Sequence, residues 1–193
     1  KIFINSQTWS VIAGIAPKDR ADKALASLKK HMLTPYGMQI CWPSFTKIDD
    51  TIGLISRCVP GKKENGAVFN HASSWFILAS LINGDIETAY DVYTRMLPTN
   101  SSKNIDRYEV EPYVFAEYVT SPDHPTENQA SHSWLTGTAV WMYRIGLDYI
   151  LGFKPDFYGC YIDPHIPKEW EEDSFVRKFR GKTFNIKVSN PNG

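Results

Sequence analysis

The stretch PKDRADKALASLKKHM, residues 17–32, decides which fold class the chain is expected to have. Pro17 suits the first position of a helix because its fixed φ is already helical and it has no N–H to leave unpaired. Charged residues fill one face of the segment, and the other face is an apolar stripe formed by Ala21, Ala24, Leu25, Leu28 and Met32. An amphipathic helix of this kind packs on a core, and a mainly α fold is predicted.

Four further segments read as helices, and three of them have recognisable ends. Apolar residues recur at helical spacing over residues 6–16, and HASSWFILASLING (71–84) stops at Gly84. Asp85 is expected to cap the next helix, which ends before Pro98. A last helix is predicted from about Trp134 to Leu151, ending on Gly152.

Strands are predicted only after residue 152. GCYIDP reads as one strand, and DSFVRKFR and TFNIKVSN form a hairpin around Gly181-Lys182. A lone hairpin is unstable without more sheet, so it is expected to begin a β domain. Helices in antiparallel pairs before these strands fit part of an α/α toroid, and an ordinary helical bundle fits equally well.

Composition excludes several classes of function. The 21 basic and 21 acidic residues balance and are scattered, so no nucleic-acid partner is predicted. The apolar runs are too short to cross a bilayer, so no membrane partner is expected. Cys41, Cys58 and Cys160 lack CxxC spacing, which predicts neither a disulfide framework nor a metal site and fits a cytoplasmic location. The chain starts without a methionine or signal peptide and stops after a strand, so it is expected to be an internal piece of a longer protein.

The segment GKKENGAVFNH (61–71) carries three candidate site residues. Lys63 and Glu64 flank a predicted Asn65-Gly66 turn, where a donor and an acceptor together suit the hydroxyls of a sugar. The alternative is a solvated turn with ordinary surface charges. His71 begins a helix, where an imidazole beside free backbone N–H groups suits an anion. The alternative for His71 is a hydrogen bond to a neighbouring backbone group.

SHSWLTGTAVWMYRIG (131–146) contains a second anion-binding pattern. Ser133 is a good N-cap and would place Thr136 and Gly137 in the first helical turn. Free N–H groups, the Thr hydroxyl and the small glycine would together allow an anion to approach the backbone closely. The alternative is that Gly137 permits close contact between two helices.

VEPYVFAEY (110–118) mixes carboxylates with aromatic rings. Glu111 and Glu117 lie near Tyr113 and Tyr118 in the sequence. Aromatic rings stack on sugar faces and carboxylates accept hydroxyl protons, so the segment suits sugar binding. A half-buried, strand-like segment with solvated acids is the alternative.

Together these segments resemble one family, the inverting disaccharide phosphorylases of glycoside hydrolase family 94. The resemblance runs across almost the whole chain, in the order of the family's motifs. The matching strings are NSQTWSVIAG, PGKKENGAVFNH, EPYVFAEY, SWLTGTAVWMY, YILGFKPDF, IDPHIP and FRGKTFNIKVSNPNG. The resemblance implies that residues 1–152 form the C-terminal part of an (α/α)6 catalytic barrel, and that residues 153–193 begin a jelly-roll-like β domain.

The resemblance also implies residue roles. His71, Thr136 and Gly137 match the family's phosphate-binding residues. Lys63 and Glu64 match residues that hold the substrate, and Glu117 occupies a substrate-contacting position.

The sequence departs from the family at three points. Cellobiose phosphorylases usually carry Gln where Glu117 stands and an aromatic residue where Cys58 stands, which puts cellobiose in doubt as the substrate. The family's general acid is an Asp in a DWND-like motif, which this chain lacks. It is expected upstream, and Asp49, Asp50 and Glu64 are not candidates to replace it.

The implied activity is inverting phosphorolysis of a β-linked disaccharide or short β-glucan to an α-sugar 1-phosphate. The implied partners are a β-glucoside substrate, inorganic phosphate as co-substrate, the remainder of the same protein and a second copy in a homodimer, with no cofactor. A glycoside hydrolase on the same toroid, or a non-catalytic sugar-binding α/α domain, is the alternative.

Overall fold

The structure is a computed structural model that describes residues 1–101 and 104–191. The chain forms two compact units, residues 1–145 and 146–193. Helices hold 39% of the residues and strands in small sheets hold 23%, so the fold is more mixed than the mainly α class that the helical patterns predict. The predicted domain boundary at residue 152 stays a prediction.

The helices lie mostly in the first unit. The α-helices are α1 (Ile4–Ile12), α2 (Lys18–Met32), α3 (Asn70–Asn83), α4 (Ile86–Met96), α5 (Pro98–Ser101), α6 (Ile105–Tyr108) and α7 (Thr138–Arg144). A 3-10 helix covers Leu54–Arg57 and a π-helix covers Ile145–Ile150. The predicted helices over residues 17–32, 71–84 and 86–97 are confirmed to within about two residues.

The strands are short, apart from one hairpin. They are β1 (Ile2–Phe3), β2 (Leu33–Thr34), β3 (Gly37–Met38), β4 (Cys41–Trp42), β5 (Val68–Phe69), β6 (Ala116–Val119), β7 (Ala130–Ser133), β8 (Phe153–Pro155), β9 (Cys160–Ile162), β10 (Glu172–Phe179) and β11 (Lys182–Ser189). Strands β5, β6 and β7 form a three-stranded antiparallel sheet in that order. The other pairs are β1 with β4, β2 with β3, β8 with β9 and β10 with β11.

Helix α3 is the centre of the first unit. Ten of its fourteen residues are buried, including Phe76, Ile77 and Leu78, and it packs against α1, α2, α4 and α7. Ser73 is buried without penalty because its hydroxyl accepts from Met38 N–H at 3.1 Å and donates to Met38 C=O at 2.8 Å. Such an all-round buried helix provides a rigid base for the side chains at its N-terminal end.

The cap predicted at Asp85 is confirmed. The Asp85 carboxylate accepts a hydrogen bond from Thr88 N–H at 3.1 Å, which satisfies one of the free donors at the start of α4. Replacing Asp85 by alanine is expected to lower the free energy of unfolding by about 1 kcal/mol. Asp85→Asn retains an acceptor and is expected to keep most of that stability in urea denaturation. An Asp85→Ala variant as stable as the parent would show that the cap contributes nothing.

The last predicted helix begins later than the sequence pattern indicates. Ser133 is not its N-cap, because Ser133 ends strand β7 opposite Ala116, and Trp134 has a φ of 66° that a helix does not allow. Gly137 is the N-cap and α7 starts at Thr138. Thr136 therefore precedes the helix instead of lying in its first turn.

The second unit contains the predicted hairpin. Strands β10 and β11 pair in register from Glu172–Ser189 to Phe179–Lys182, which confirms it. The two-residue turn is Arg180-Gly181, one residue earlier than the predicted Gly181-Lys182, because Lys182 pairs with Phe179 in the hairpin. Its φ values of 48° and 74° are those that the right-handed twist of a hairpin favours. Phe153 of β8 packs edge-on against Phe179 and Phe184 at 5.5 and 5.7 Å between ring centroids.

Candidate functional site

The β5–β6–β7 sheet brings the starts of two helices to one edge. Strands β5 and β7 both run antiparallel to β6, so their C-terminal ends lie at the edge where β6 begins. Strand β5 leads into α3, and β7 leads to α7. The Asn70 side chain fixes this junction by donating to Ala116 C=O at 2.8 Å. His71, Glu117 and the Thr136-Gly137 pair therefore lie at or next to the same sheet edge.

Gly137 lies directly against the His71 ring. A Cβ atom built on Gly137 would be 3.3 Å from His71 Cε1, which is tighter than an ordinary van der Waals contact, and 3.5 Å from Nε2, which is an ordinary one. Because Gly137 has φ −76° and ψ 12°, its backbone does not itself require glycine. The glycine serves the close approach of the two segments. The structure thus agrees with the alternative that Gly137 permits close contact between two helices. The residue that it contacts is His71, the candidate anion-binding histidine.

His71 presents a buried nitrogen without a partner. Its Nε2 atom has no hydrogen-bond partner among the residues that the structure describes. The alternative of a hydrogen bond to a neighbouring backbone group therefore does not apply to Nε2. Burial lowers the pKa of His71 below its ordinary value of 6.5, because the charged form is poorly solvated. The imidazole is therefore neutral near pH 7. In the unfolded chain His71 takes up a proton as the pH falls through 6.5, whereas in the folded chain it does so only at a lower pH. Protonation therefore favours the unfolded chain, and the free energy of unfolding decreases as the pH falls below 6.5.

Two tryptophans contact the His71 ring, and a third tryptophan packs against both of them. The Trp75 ring lies 4.7 Å from the imidazole between centroids, and the Trp141 ring lies 6.4 Å from it. Trp9 makes edge-on contacts with both, at 5.4 Å from Trp75 and 6.2 Å from Trp141. We call Trp9, Trp75 and Trp141 the tryptophan cluster. The Trp75 and Trp141 rings restrict the imidazole, whose Nε2 atom is buried.

The sequence reading missed this cluster, although the spacing held a signal for it. Trp75 follows His71 by four residues and Trp141 follows Gly137 by four, so each pair lies one helical turn apart on the same face. Only the packing of α1, α3 and α7 brings the three rings together.

The Thr136 hydroxyl is held in place by a second threonine. Its Oγ1 lies 2.7 Å from Oγ1 of Thr138, which is buried, and Thr138 N–H approaches the same hydroxyl at 3.4 Å. These contacts fix the Thr136 side chain beside Gly137. A hydroxyl restrained in this way offers a ligand a donor with little entropy left to lose.

Glu117 is a largely buried carboxylate on the same sheet edge. Its side chain is 17% exposed, and Oε2 lies 3.2 Å from Nδ1 of His132 on the neighbouring strand. That contact is not a hydrogen bond, because Oε2 has no hydrogen-bond partner among the described residues. The His132 Nδ1 atom lies closer to Ser131 Oγ, at 2.7 Å. Glu117 therefore lies in a strand, but it is not the solvated acid of the alternative reading.

Glu111 occupies a different environment nearby. Its carboxylate accepts from the Trp134 indole N–H at 3.2 Å, and the Trp134 and Tyr113 rings are each 72% exposed. Its own backbone N–H, the Ser133 hydroxyl and the Trp134 indole, in that order, lower the pKa of Glu111 by bonding its charged form. Exposed aromatic rings beside carboxylates suit a sugar face, as the sequence indicates.

Lys63 and Glu64 form the centre of a tight turn and do not flank one at Asn65-Gly66. Asn65 N–H donates to Lys62 C=O at 3.1 Å, and Lys63 has φ 49°. This β-turn presents Lys63 and Glu64 as its two central residues. The prediction of two adjacent side chains on one turn is correct, but the turn lies two residues earlier than predicted.

Asn65 is the residue that fixes this turn. Its fully buried amide accepts from Phe45 N–H at 2.6 Å and donates to Phe45 C=O at 2.9 Å and Cys58 C=O at 2.7 Å. Gly61 C=O also accepts from Ser121 N–H at 3.0 Å. Since Ser121 lies just beyond the C-terminal end of β6, the base of this turn is tied to the edge opposite His71. The structure thus brings His71, Gly137 and Thr136 together and places the base of the Lys63-Glu64 turn apart from them.

Comparison with known proteins agrees with these motifs. A family model described as "Glycosyl hydrolase 94 superfamily, catalytic domain" matches residues 1–152. The chain is 35% identical to an N,N'-diacetylchitobiose phosphorylase of Vibrio proteolyticus over 191 residues, covering 99% of the chain and 24% of that protein. It is 36% identical to a solabiose phosphorylase of Paenibacillus borealis over 191 residues, covering 99% of the chain and 25% of that protein. It is 32% identical to a cellobionic acid phosphorylase of Neurospora crassa over 196 residues, covering 100% of the chain and 25% of that protein.

The chain thus spans about a quarter of the length of the curated relatives it matches. Among the residues that the structure describes, none of the helices has the length and apolar character needed to cross a membrane. The predicted homodimer, the cytoplasmic location and the roles of the individual site residues stay predictions.

Proposed function

Because this chain belongs to the glycosyl hydrolase 94 superfamily, we propose that it contributes the phosphate side and part of the sugar side of an inverting disaccharide phosphorylase. The substrate would be a β-linked disaccharide or short β-glucan, and the products an α-sugar 1-phosphate and the released acceptor sugar. Three relatives named as phosphorylases, each for a different disaccharide, support the reaction class. The paired helices and the C-terminal hairpin fit part of an (α/α)6 barrel followed by a β domain.

In the proposed reaction a phosphate oxygen forms a bond to the anomeric carbon, and the glycosidic C–O bond breaks. A general acid gives its proton to the leaving oxygen, and the configuration at the anomeric carbon inverts. Phosphate is itself the nucleophile, so no second carboxylate is needed to activate water. The acid would come from a DWND-like motif outside these 193 residues, which contain no such string.

The contact between His71 and Gly137 is the observation that carries the proposal. It joins two anion-binding patterns that are 66 positions apart in the sequence, and it leaves the buried Nε2 beside the small glycine. A phosphate there would accept from the imidazole, the Thr136 hydroxyl and the backbone near Gly137. The anion would favour the protonated imidazole and so offset the cost of charging a buried histidine.

The sugar side of the proposed site is formed by Lys63, Glu64 and Glu117. The Lys63-Glu64 turn supplies a cation and a carboxylate side by side, and the buried Glu117 carboxylate supplies an acceptor for a hydroxyl or amide proton. A carboxylate at position 117 prefers a substrate group that donates. This preference fits the departure from the Gln of cellobiose phosphorylases.

Phosphate dependence tests the reaction class. In the full-length protein, sugar release from a β-linked disaccharide is expected to require inorganic phosphate and to yield a sugar 1-phosphate. Release that continues unchanged without phosphate would indicate a hydrolase on the same fold. No turnover with or without phosphate, in a protein that still binds the disaccharide, would indicate a sugar-binding domain.

Single variants test whether phosphate and sugar bind in separate parts of the proposed site. Thr136→Val is expected to raise the KM for phosphate about tenfold or more and to change the sugar KM little, because one hydrogen bond to a charged group is lost. Thr136→Ser keeps the hydroxyl and should restore phosphate use. Lys63→Ala is the reciprocal control and should raise the sugar KM instead. Equal changes in both constants for Thr136→Val would contradict a separate phosphate site.

A further inference from the structure

Two buried nitrogen atoms belong to neighbouring rings of the His71 region and have no partner. His71 Nε2 and Trp75 Nε1 are both inaccessible to solvent, and neither has a hydrogen-bond partner among the described residues. Their rings lie one turn apart on α3, with centroids 4.7 Å from each other. Buried polar groups are almost always hydrogen-bonded, so two adjacent exceptions call for a shared explanation.

The Trp75 indole can be satisfied only by an acceptor. An indole nitrogen donates and cannot accept, whereas the imidazole can do either. The indole is also not free to turn towards another partner, because Trp9 and Trp141 pack edge-on against it at 5.4 and 6.3 Å. A donor that the surrounding side chains hold in place, with no acceptor of its own, is typical of a preorganised binding site.

We propose that Trp75 is a ligand of the phosphate, its indole N–H donating to an oxygen of the same anion that His71 and Thr136 contact. This inference rests on the proposed function, since it adds a residue to the proposed phosphate site. A tetrahedral anion carries four oxygens and can accept from an imidazole and an adjacent indole at once. Trp9 and Trp141 act differently, by holding the indole in place.

An anion suits this position better than a sugar hydroxyl does. A hydroxyl group requires an acceptor as well as a donor for full satisfaction, whereas an oxyanion needs donors only. The surroundings provide donors in the indole, the Thr136 hydroxyl and the backbone N–H groups near Gly137. Burial is the cause that lowers the pKa of His71, and no neighbouring carboxylate contributes to the shift. Hydrogen bonds to an anion are strongest in such a dry, donor-rich environment.

The test compares two tryptophan variants of the full-length protein by calorimetric titration with inorganic phosphate. Trp75→Phe removes the N–H but keeps an aromatic face, and it is expected to weaken the Kd for phosphate about tenfold or more. Trp42→Phe is the matched control, because Trp42 lies outside the tryptophan cluster and stacks on His31 at 4.7 Å between centroids, a contact that phenylalanine can keep. It should bind phosphate within about twofold of the parent. A Trp75→Phe protein that binds phosphate as the parent does would overturn the inference.

A measurement on the parent protein avoids dependence on the variant's folding. With tryptophan labelled by 15N, phosphate titration is expected to move one indole N–H resonance downfield, as a new charge-assisted hydrogen bond requires. The inference would also be overturned if no indole resonance shifted at saturating phosphate.

The His71→Ala variant distinguishes a failure of the Trp75 inference from a failure of the proposed phosphate site. If His71→Ala weakens phosphate binding and Trp75→Phe does not, the phosphate site stands and only the role of Trp75 fails. If neither variant changes binding, the proposed phosphate site itself is wrong.

Discussion

Replacing Gly137 by valine is expected to raise the KM for phosphate about 100-fold while leaving the protein folded. Even a single Cβ at this position would lie 3.3 Å from His71 Cε1, and the two further methyl groups of valine must displace the imidazole. A displacement approaching 1 Å at a reacting or binding group costs about 100-fold in activity. Folding should tolerate the change because the φ of −76° at this position is negative, so the backbone does not require glycine.

Steady-state kinetics with phosphate and sugar varied separately would measure this effect. Gly137→Ala should give an intermediate increase, since the His71 ring must move by only a few tenths of an ångström. Gly159→Ala is the matched control, because a Cβ there meets nothing within 4 Å and its φ is ordinary. If the valine variant raised the sugar KM as much as the phosphate KM, Gly137 would not belong to a phosphate site.

Replacing Asn65 by alanine is expected to lower the free energy of unfolding by about 3 kcal/mol. The Asn65 amide makes three hydrogen bonds while fully buried, to Phe45 N–H, Phe45 C=O and Cys58 C=O. Alanine removes all three and leaves these backbone groups without partners, and each such loss typically costs about 1–3 kcal/mol. The Lys63-Glu64 turn then loses its fixed base, so the sugar KM should rise while the phosphate KM changes little.

Urea denaturation and the same two-substrate kinetics would test the role of Asn65. Asn83→Ala is the control, since Asn83 makes an exposed hydrogen bond to Asp22 at 2.8 Å and its loss should cost little. A loss of stability no greater than in the Asn83→Ala variant would show that the turn is held by other contacts.

Much of the fold could be predicted because its determinants are local. The apolar stripe of α2, the Gly84 end of α3, the Asp85 cap and the Arg180-Gly181 turn each depend on residues within about four positions of one another. The resemblance found in the motifs is confirmed by the family model over residues 1–152.

The three-stranded sheet β5–β6–β7 could not be predicted in this way. Its strands have two to four residues, too few to show an alternating pattern, and β5 pairs with a strand almost 50 positions later. The same pairing explains why α7 begins late. Residues 131–133 have the composition of a helix start, but pairing with β6 places them in a strand.

The candidate site shows the same division between local and long-range effects. The sequence by itself determined which side chains are candidates to bind an anion or a sugar, namely His71, Thr136, Gly137, Lys63, Glu64 and Glu117, because residue chemistry is independent of distance along the chain. Only the tertiary structure decided that His71 and Gly137 touch, and that the Nε1 atom of Trp75, whose ring lies beside His71, is buried without an acceptor among the described residues. Those contacts come from packing of α1, α3 and α7 around a buried core. Such packing depends on the free energy of burying whole faces, which no local pattern specifies.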